Sequence, residues 1–415
     1  MPKYLLKSGR IIDPATDTDF FGDVFIAHGL VQKIGFNFNP EQGTEIIDCT
    51  GKLITPGLID MHVHFRTPGQ NHKEILESGS LAALAGGFTT VVAMANTSPA
   101  IDSAEKLRNI LLLAENKAFC HYYQVGAATL DLAGEVITDI PALKRAGAIA
   151  ISDDGKAIQE EAILGEVLKR CKNEQIPFLV HCEADGYNPD SVYPEYAYLE
   201  IVLSLAQKLK APLHIQHVSC ARSLSLIRQA KDCGVEVTCE TAPHYFSLVS
   251  EYVKKIGTNA KMNPPLRTDS DRTMVISRLS DKPATIEVIA TDHAPHAKAE
   301  KEIDFDKAPN GIIGLETAVP VCFSYLNNNL LVPDIIAKLT INPAKILGLK
   351  NQGRLVEGLP ADITVIDPKL EKVVEADKFY SLSRNCPWNG HTLTSWPVMT
   401  IFNGKIAMKD GKILL

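Results

Sequence analysis

Two histidines separated by one residue, His62-Val-His64, close a short apolar run. Side chains alternate along an extended strand with a period of two, so both imidazoles would face the same side. Farther along, His181, His217 and Asp292 each end a comparable run, and Asp153-Asp154 ends another. Imidazole and carboxylate are ligand chemistry for borderline divalent metals such as zinc. Taken singly, each is as readily a hydrogen-bonded strand histidine or an aspartate in a turn, the reading that His121, His214 and His244 receive. Together, His62, His64, Asp154, His181, His217 and Asp292 argue for one site, provided that the fold brings the strand ends together.

The elements that could do so are legible between Leu53 and Ile346. Apolar runs end near Asp60–His64, Val91–Asn96, His121–Gly126, Ala148–Asp154, Phe178–Glu183, Leu213–His217, Val235–Glu240 and Ile286–Asp292. Segments of helical spacing separate most of them, including Ser103–Asn116, Glu160–Asn173, Glu195–Lys210 and Ser223–Cys233. Alternating strands and helices with near-continuous apolar strands predict a parallel sheet covered by helices. Eight such units in roughly 290 residues fit a closed (β/α)8 barrel of the TIM type, in which the carboxyl ends of all strands meet at one mouth. No G-x-G-x-x-G follows the first run, which removes the main support for a dinucleotide fold. The flanks, residues 1–52 and 352–415, read as short strands punctuated by Gly and Asp. Neither flank could bury a sheet face alone, and the two together predict a small β-sandwich domain, α/β barrel domain 53–351 being inserted between them.

Composition agrees with a large globular enzyme. The chain has 415 residues, 45% hydrophobic and 22% charged, enough apolar side chain for a large core. Its 42 Lys plus Arg against 49 Asp plus Glu give a net charge of −7, with neither sign gathered into a block, which argues against nucleic-acid binding. The nine cysteines are odd in number and scattered, and no C-x-x-C occurs. With no signal-peptide pattern at the start, this predicts a reducing, cytoplasmic location. The weakly polar stretch Leu81–Ala95 is too short to span a bilayer, so no membrane association is expected.

The segments Asp60-Met-His-Val-His-Phe-Arg66, Ser152-Asp-Asp-Gly155, His181-Cys-Glu183, His217-Val-Ser219, Lys261-Met-Asn-Pro-Pro-Leu-Arg267, Ala290-Thr-Asp-His-Ala-Pro-His296 and Gly311-Ile-Ile-Gly-Leu-Glu-Thr317 occur in this order. With Gly353–Asp362 and Ser383–Gly390 they resemble dihydroorotases of the bacterial monofunctional type, within the metal-dependent amidohydrolase superfamily. The resemblance implies zinc-dependent, reversible cyclisation of N-carbamoyl-L-aspartate to L-dihydroorotate, the third step of pyrimidine synthesis. It implies two zinc ions per chain: one held by His62, His64 and Asp292, the other by His181 and His217, bridged by a hydroxide and by Asp154, with Asp153 as the alternative. Most amidohydrolases bridge with a carboxylated lysine, which this type replaces by aspartate, and the fourth run here, Ala148–Asp154, offers no lysine before Lys156, which follows Gly155. By the same resemblance Asp292 is the catalytic acid-base group. Arg66, Asn96 and His296 grip the substrate carboxylate, a fit for the planar guanidinium, and Asn263 meets the pyrimidine ring with backbone groups around Pro309–Gly311.

Thr67, Ala95 and Asn310 depart from residues usual in the family, and the stretch between His181 and His217 is short; the last two bear on the substrate side and on the 304–311 loop. Homodimerisation is a further implication, and an association with aspartate transcarbamoylase is left open. Two other readings compete: a related cyclic amidohydrolase such as allantoinase or dihydropyrimidinase, which typically uses the missing lysine, and a non-catalytic partner of aspartate transcarbamoylase, in which ligand positions would be lost.

Overall fold

The computed structural model describes residues 2–39 and 41–415. Near the amino terminus, runs rich in β-branched and aromatic residues form β1 (Lys3–Asp13), β2 (Thr18–Ala27), β3 (Leu30–Gly35), β4 (Thr44–Asp48) and β5 (Leu53–Pro56). Shorter and mostly buried strands follow: β6 (Leu58–Val63), β7 (Phe88–Ala93), β8 (His121–Gln124), β9 (Leu179–Val180), β10 (Leu213–Ile215), β11 (Val237–Thr241) and β12 (Val288–Ile289). The carboxyl-terminal part adds β13 (Ile363–Val373), β14 (Thr392–Phe402), β15 (Lys405–Lys409) and β16 (Lys412–Ile413).

Both ends of the chain share one mixed nine-stranded sheet, ordered β16-β15-β14-β13-β5-β1-β2-β3, with β4 also on β1. Its hairpins are tight where the sequence supplies residues that tolerate positive φ: Asn403-Gly404 (48° and 72°) joins β14 to β15, and Asp410-Gly411 (50° and 78°) joins β15 to β16. The strand Leu53–Pro56 belongs to this sheet, pairing with β1 and β13, although the sequence places it with the barrel. Ile54 packs with Leu6, Ile11, Ile363 and Ile401, whereas Leu58, Phe88, Val91 and Ile215 of the parallel strands pack in a cluster shared with the helices.

The remaining strands pair in parallel, β6-β7-β8 in one row and β9-β10-β11-β12 in another. Isolated parallel bridges Gly126↔Ile151 and Ile151↔Phe178 carry the pairing from the end of β8 toward β9, and Val63↔His293 joins β6 to the segment leaving β12. The fourth run, expected at Ala148–Asp154, forms isolated bridges at Ile151 rather than a longer strand, and main-chain hydrogen bonds from Ile149 N to Gln124 O, Gly126 N to Ala150 O and Ile151 N to Pro177 O seat it between its neighbours.

Helices lie where the periodicity predicts them: Ala104–Lys117, Glu161–Glu174, Tyr193–Leu209 and Ala221–Asp232. The first starts at Ser103, whose hydroxyl accepts the Lys106 N–H, a side-chain cap for an otherwise orphaned donor. Their apolar stripes (Leu107, Ile110, Leu164, Leu168, Val202, Leu224) fill one core cluster with the strands. Among the described residues no helix is long and apolar enough to cross a membrane.

Candidate active site

Every residue singled out as a ligand arrives at the same end of the parallel strands. His62 and His64 leave β6 on one face. The Asp60 carboxylate fixes that strand end by accepting the N–H groups of His62 (3.0 Å) and Thr291 (3.2 Å), so the segments carrying the His pair and Asp292 are tied together. Asp154 stands at the centre. Its Oδ1 lies 3.4 Å from His62 Nε2, 3.6 Å from His217 Nε2 and 3.8 Å from His181 Nδ1, and its Oδ2 lies 3.5 Å from His64 Nε2. Asp292 Oδ1 lies 3.0 Å from His64 Nε2 and 3.6 Å from His62 Nε2. Two ligand groups result, His62-His64-Asp154 and Asp154-His181-His217, sharing Asp154.

The neighbouring aspartate is excluded from that centre. Asp153 accepts hydrogen bonds from Ala128 N (2.7 Å), Thr129 N (3.0 Å) and the Thr129 hydroxyl, which occupies both its oxygens. One residue of alternation therefore separates a carboxylate that holds a loop from one that faces four imidazoles.

The ring orientations are set from behind. His62 Nδ1 lies 2.6 Å from Glu240 Oε1, and the other oxygen of Glu240 lies 3.3 Å from His214 Nε2, whose Nδ1 meets the Thr238 hydroxyl at 2.8 Å. His64 Nδ1 donates to Asn96 Oδ1 at 2.8 Å. Both rings thereby turn Nε2 toward Asp154, the arrangement in which a carboxylate or carbonyl fixes the tautomer of a metal-binding histidine. His62 Nε2 and Asp154 Oδ1 are buried and have no hydrogen-bond partner among the described residues. Orphaned polar atoms are costly, and a cation between them would satisfy both, so the donor set fits a metal.

The electrostatics are those of a ligand shell. Burial works against ionisation of Asp154, yet the charge of His62 and the close approach of the His217 and His62 rings hold it well below the ordinary carboxylate range. Asp292 is likewise lowered, burial being outweighed by the His64 hydrogen bond and the charges of His62 and His64. Burial also opposes Glu240, but His62 and His214 bring it down to about 2. Three anions thus interleave with the histidines.

Above this cluster lies a cavity of about 300 Å³ lined by Arg66, Asn96, Asn263 and His296 together with His64, Asp154, His181, His217 and Asp292. Arg66, His217 and Asp292 all have positive φ (58°, 33° and 49°), uncommon for residues bearing a Cβ and concentrated at functional sites in general. Arg66 Nε donates to Pro295 O at 3.2 Å and Nη2 lies 3.3 Å from His296 Nε2, which itself meets Asn310 O at 2.8 Å. Burial, then the charges of Arg66, Lys73 and Lys301, push His296 down to about 3, leaving a neutral ring. Asn263 Nδ2 donates to Glu183 Oε2 (2.9 Å), which also lies 3.0 Å from His181 Nε2. Asn96 is engaged with His64 and, through Nδ2, with Asp154 Oδ2 at 3.2 Å, so its amide orients two of the expected ligands.

The carboxyl-terminal motif has a place here too. Asn385 Nδ2 donates to Ala294 O (3.1 Å) and Gly311 O (3.0 Å), bracing the two segments that form the far wall. Sequence reasoning passed over Glu240, Glu183 and Lys73. The first had a usable signal: Thr238 and Glu240 stand at i and i+2 at the end of the seventh run, where both must face the same side as each other.

The fold is that of solved hydantoinases. The chain superposes on an L-hydantoinase (dihydropyrimidinase) from Arthrobacter aurescens with a TM-score of 0.91, covering 100% of this chain and 98% of that one at 24% identity. A D-hydantoinase gives 0.89 over 99% and 96% at 23% identity. The chain shares the fold of these hydantoinases, and its metal-competent cluster lies at the ends of the parallel strands. A family model described as dihydro-orotase-like matches residues 51–240. Dihydroorotases from Pelobacter propionicus and Geobacter metallireducens are 40% and 41% identical to this chain, each over 98% of it and 99% of the relative. The chain belongs to the dihydroorotase family.

Proposed function

We propose that this chain interconverts N-carbamoyl-L-aspartate and L-dihydroorotate at the cavity above Asp154, with two zinc ions bound. The observation that carries the reading is a single carboxylate, Asp154, within 3.4–3.8 Å of imidazole nitrogens from His62, His64, His181 and His217, beside a wall bearing Arg66. The two ions would be held by His62, His64 and Asp292 on one side and by His181 and His217 on the other, with Asp154 shared. When bound, divalent cations supply ionised water near neutral pH and Lewis-acid polarisation of a carbonyl.

The chain's own residues do the rest. Arg66, beside neutral His296, takes the carboxylate that does not react, and Asn263 meets the ring. Asn96 holds His64 and Asp154 in register. In the hydrolytic direction water adds to the ring carbonyl, Asp292 accepts its proton, and the same carboxyl delivers that proton to the ring nitrogen as the C–N bond breaks. Cyclisation runs these steps backward with loss of water.

The parallel pairings and their connecting bridges support a closed (β/α)8 barrel within residues 53–351, with Leu53–Pro56 paired into the composite β-domain of 1–52 and 352–415. A cytoplasmic homodimer is the assembly we propose, and analytical ultracentrifugation tests it; co-elution with aspartate transcarbamoylase tests the wider association. The decisive experiment measures metal content alongside hydrolysis of dihydroorotate, allantoin and dihydrouracil. Zinc near two per chain with turnover of dihydroorotate alone is expected, and turnover of dihydrouracil instead would overturn the assignment.

A further inference from the structure

We propose that Lys73 is a second cation for the non-reacting carboxylate of the substrate and determines selectivity for carboxylate-bearing rings; this rests on the reaction proposed above. Lys73 lines the same cavity as Arg66 and His296. It is brought there by the turn that follows Arg66: Gln70 N donates to Arg66 O, and Lys73 N to Gln70 O, each at 2.9 Å. The Lys73 side chain is 13% exposed, so its charge sits in the wall.

Its partner is Glu300, whose Oε1 lies 3.3 Å from Lys73 Nζ. The pairing is lopsided. Glu300 also meets His72 Nε2 at 3.3 Å and accepts Ala297 N at 3.0 Å, so it keeps partners without the lysine. Lys73 has three N–H donors and, among the described residues, this one anion. A purely structural strut would bury both ends. Here the glutamate end is 31% exposed and the lysine end faces the cavity.

The substrate's charge gives that lysine something to do. The linear compound carries two carboxylates and the ring one. The reacting carboxylate belongs at Asp154 and its imidazoles, leaving the other for the opposite wall. Arg66 is committed there through Nε to Pro295 O, which fixes the plane of its fork. An ammonium on a flexible stem can close on the same anion from another direction, exchanging Glu300 for the substrate.

The test uses the zinc-loaded enzyme and four variants: Lys73→Met, Lys73→Arg, Glu300→Gln and the double variant Lys73→Met/Glu300→Gln. Steady-state constants are measured in both directions, with melting temperature as the control for folding. Losing one hydrogen bond to a charged group predicts a rise in KM of about tenfold for Lys73→Met, with a much smaller fall in kcat. Lys73→Arg restores most of it. Glu300→Gln lowers KM by freeing the lysine, and has no such effect once Lys73 is Met. A KM indifferent to residue 73, or Lys73→Met and Glu300→Gln both raising KM in step with a falling melting temperature, overturns the inference. A wild-type enzyme that turns over neither compound overturns the proposed reaction itself, and this inference with it.

Discussion

Asp153 and Asp154 are adjacent, the same residue type and both buried, yet the structure gives them separate tasks that two alanine variants can pull apart. Asp153→Ala leaves three buried donors, Ala128 N, Thr129 N and the Thr129 hydroxyl, without their acceptor. At about 1.5–3 kcal/mol for each hydrogen bond to a charged group, the gross loss is about 4–9 kcal/mol. Against it stands the relief of no longer burying a carboxylate, whose pKa burial pushes up to about 6 despite those hydrogen bonds; that rise corresponds to about 3 kcal/mol. The net cost is about 1–6 kcal/mol, which for a chain of this length lowers the melting temperature by roughly 1–7 °C. It falls equally on the zinc-loaded and metal-free forms. Asp154→Ala acts otherwise: it removes the atom shared by both ligand groups, so the rise in melting temperature on adding zinc disappears along with bound metal. The assay is thermal melting with and without zinc, plus metal content by mass spectrometry. If Asp153→Ala abolished the zinc-dependent rise while Asp154→Ala kept it, the assignment of the two carboxylates would be reversed.

Three further outcomes follow from the same geometry. Glu240→Gln keeps the shape behind His62 but removes the charge that fixes its tautomer, and should weaken zinc binding by about 10- to 100-fold, read by competition with a chromogenic chelator; unchanged affinity would leave Glu240 a packing residue. Asp292→Asn should leave a folded protein whose turnover falls by about 10²- to 10⁴-fold in both directions, and near wild-type rates would remove the carboxylate from proton transfer. Gly69 has φ of +90°, and a Cβ there would overlap the Ser98 carbonyl oxygen. Gly69→Ala should therefore cost at least about 3 kcal/mol in unfolding experiments and raise KM by displacing the Arg66–Lys73 turn, whereas wild-type stability would show that the turn relaxes freely.

The residues that could be read from sequence were those whose position follows from strand periodicity. His62 and His64 at i and i+2, and single ligands at the ends of later runs, required only that strand ends converge. The four helix spans were legible for the same reason, since an amphipathic stripe is a local property. Asp154 over Asp153 was not legible from periodicity, because the two compete until the backbone of Ala128 and Thr129 claims one of them, and that loop is 25 residues away. The fourth run shows a related limit: an apolar run predicts burial, but how long a ladder it makes, here bridges at Ile151 alone with a few flanking main-chain hydrogen bonds, depends on distant neighbours. Asn96 shows a third limit. Its side chain was legible as belonging to the site, while its engagement with His64 and Asp154 depends on rotamers that spacing does not encode.

The pairing of these two aspartates also explains how so short a side chain can stand at the centre. A carboxylate on one methylene cannot reach far from its own backbone, so the main chain must approach the imidazoles closely and be held there. Ile151 N bonds to Pro177 O and Ser152 N to Gly126 O, which clamps the chain between its neighbours on both sides just before the turn. Asp153 then fastens the next residue to the loop after β8, and Gly155, at φ +77°, turns the chain away. The position of Asp154 is thus set by main-chain hydrogen bonds just before it and by the turn at Gly155 just after, whereas a long flexible side chain would have to be held by contacts along its length. That rigidity has a consequence for the substrate side: with the metal-facing wall fixed by backbone, adjustment to a linear or a cyclic ligand must come from the opposite wall, where Lys73, Glu300 and the 304–311 loop are less buried than the ligands they face.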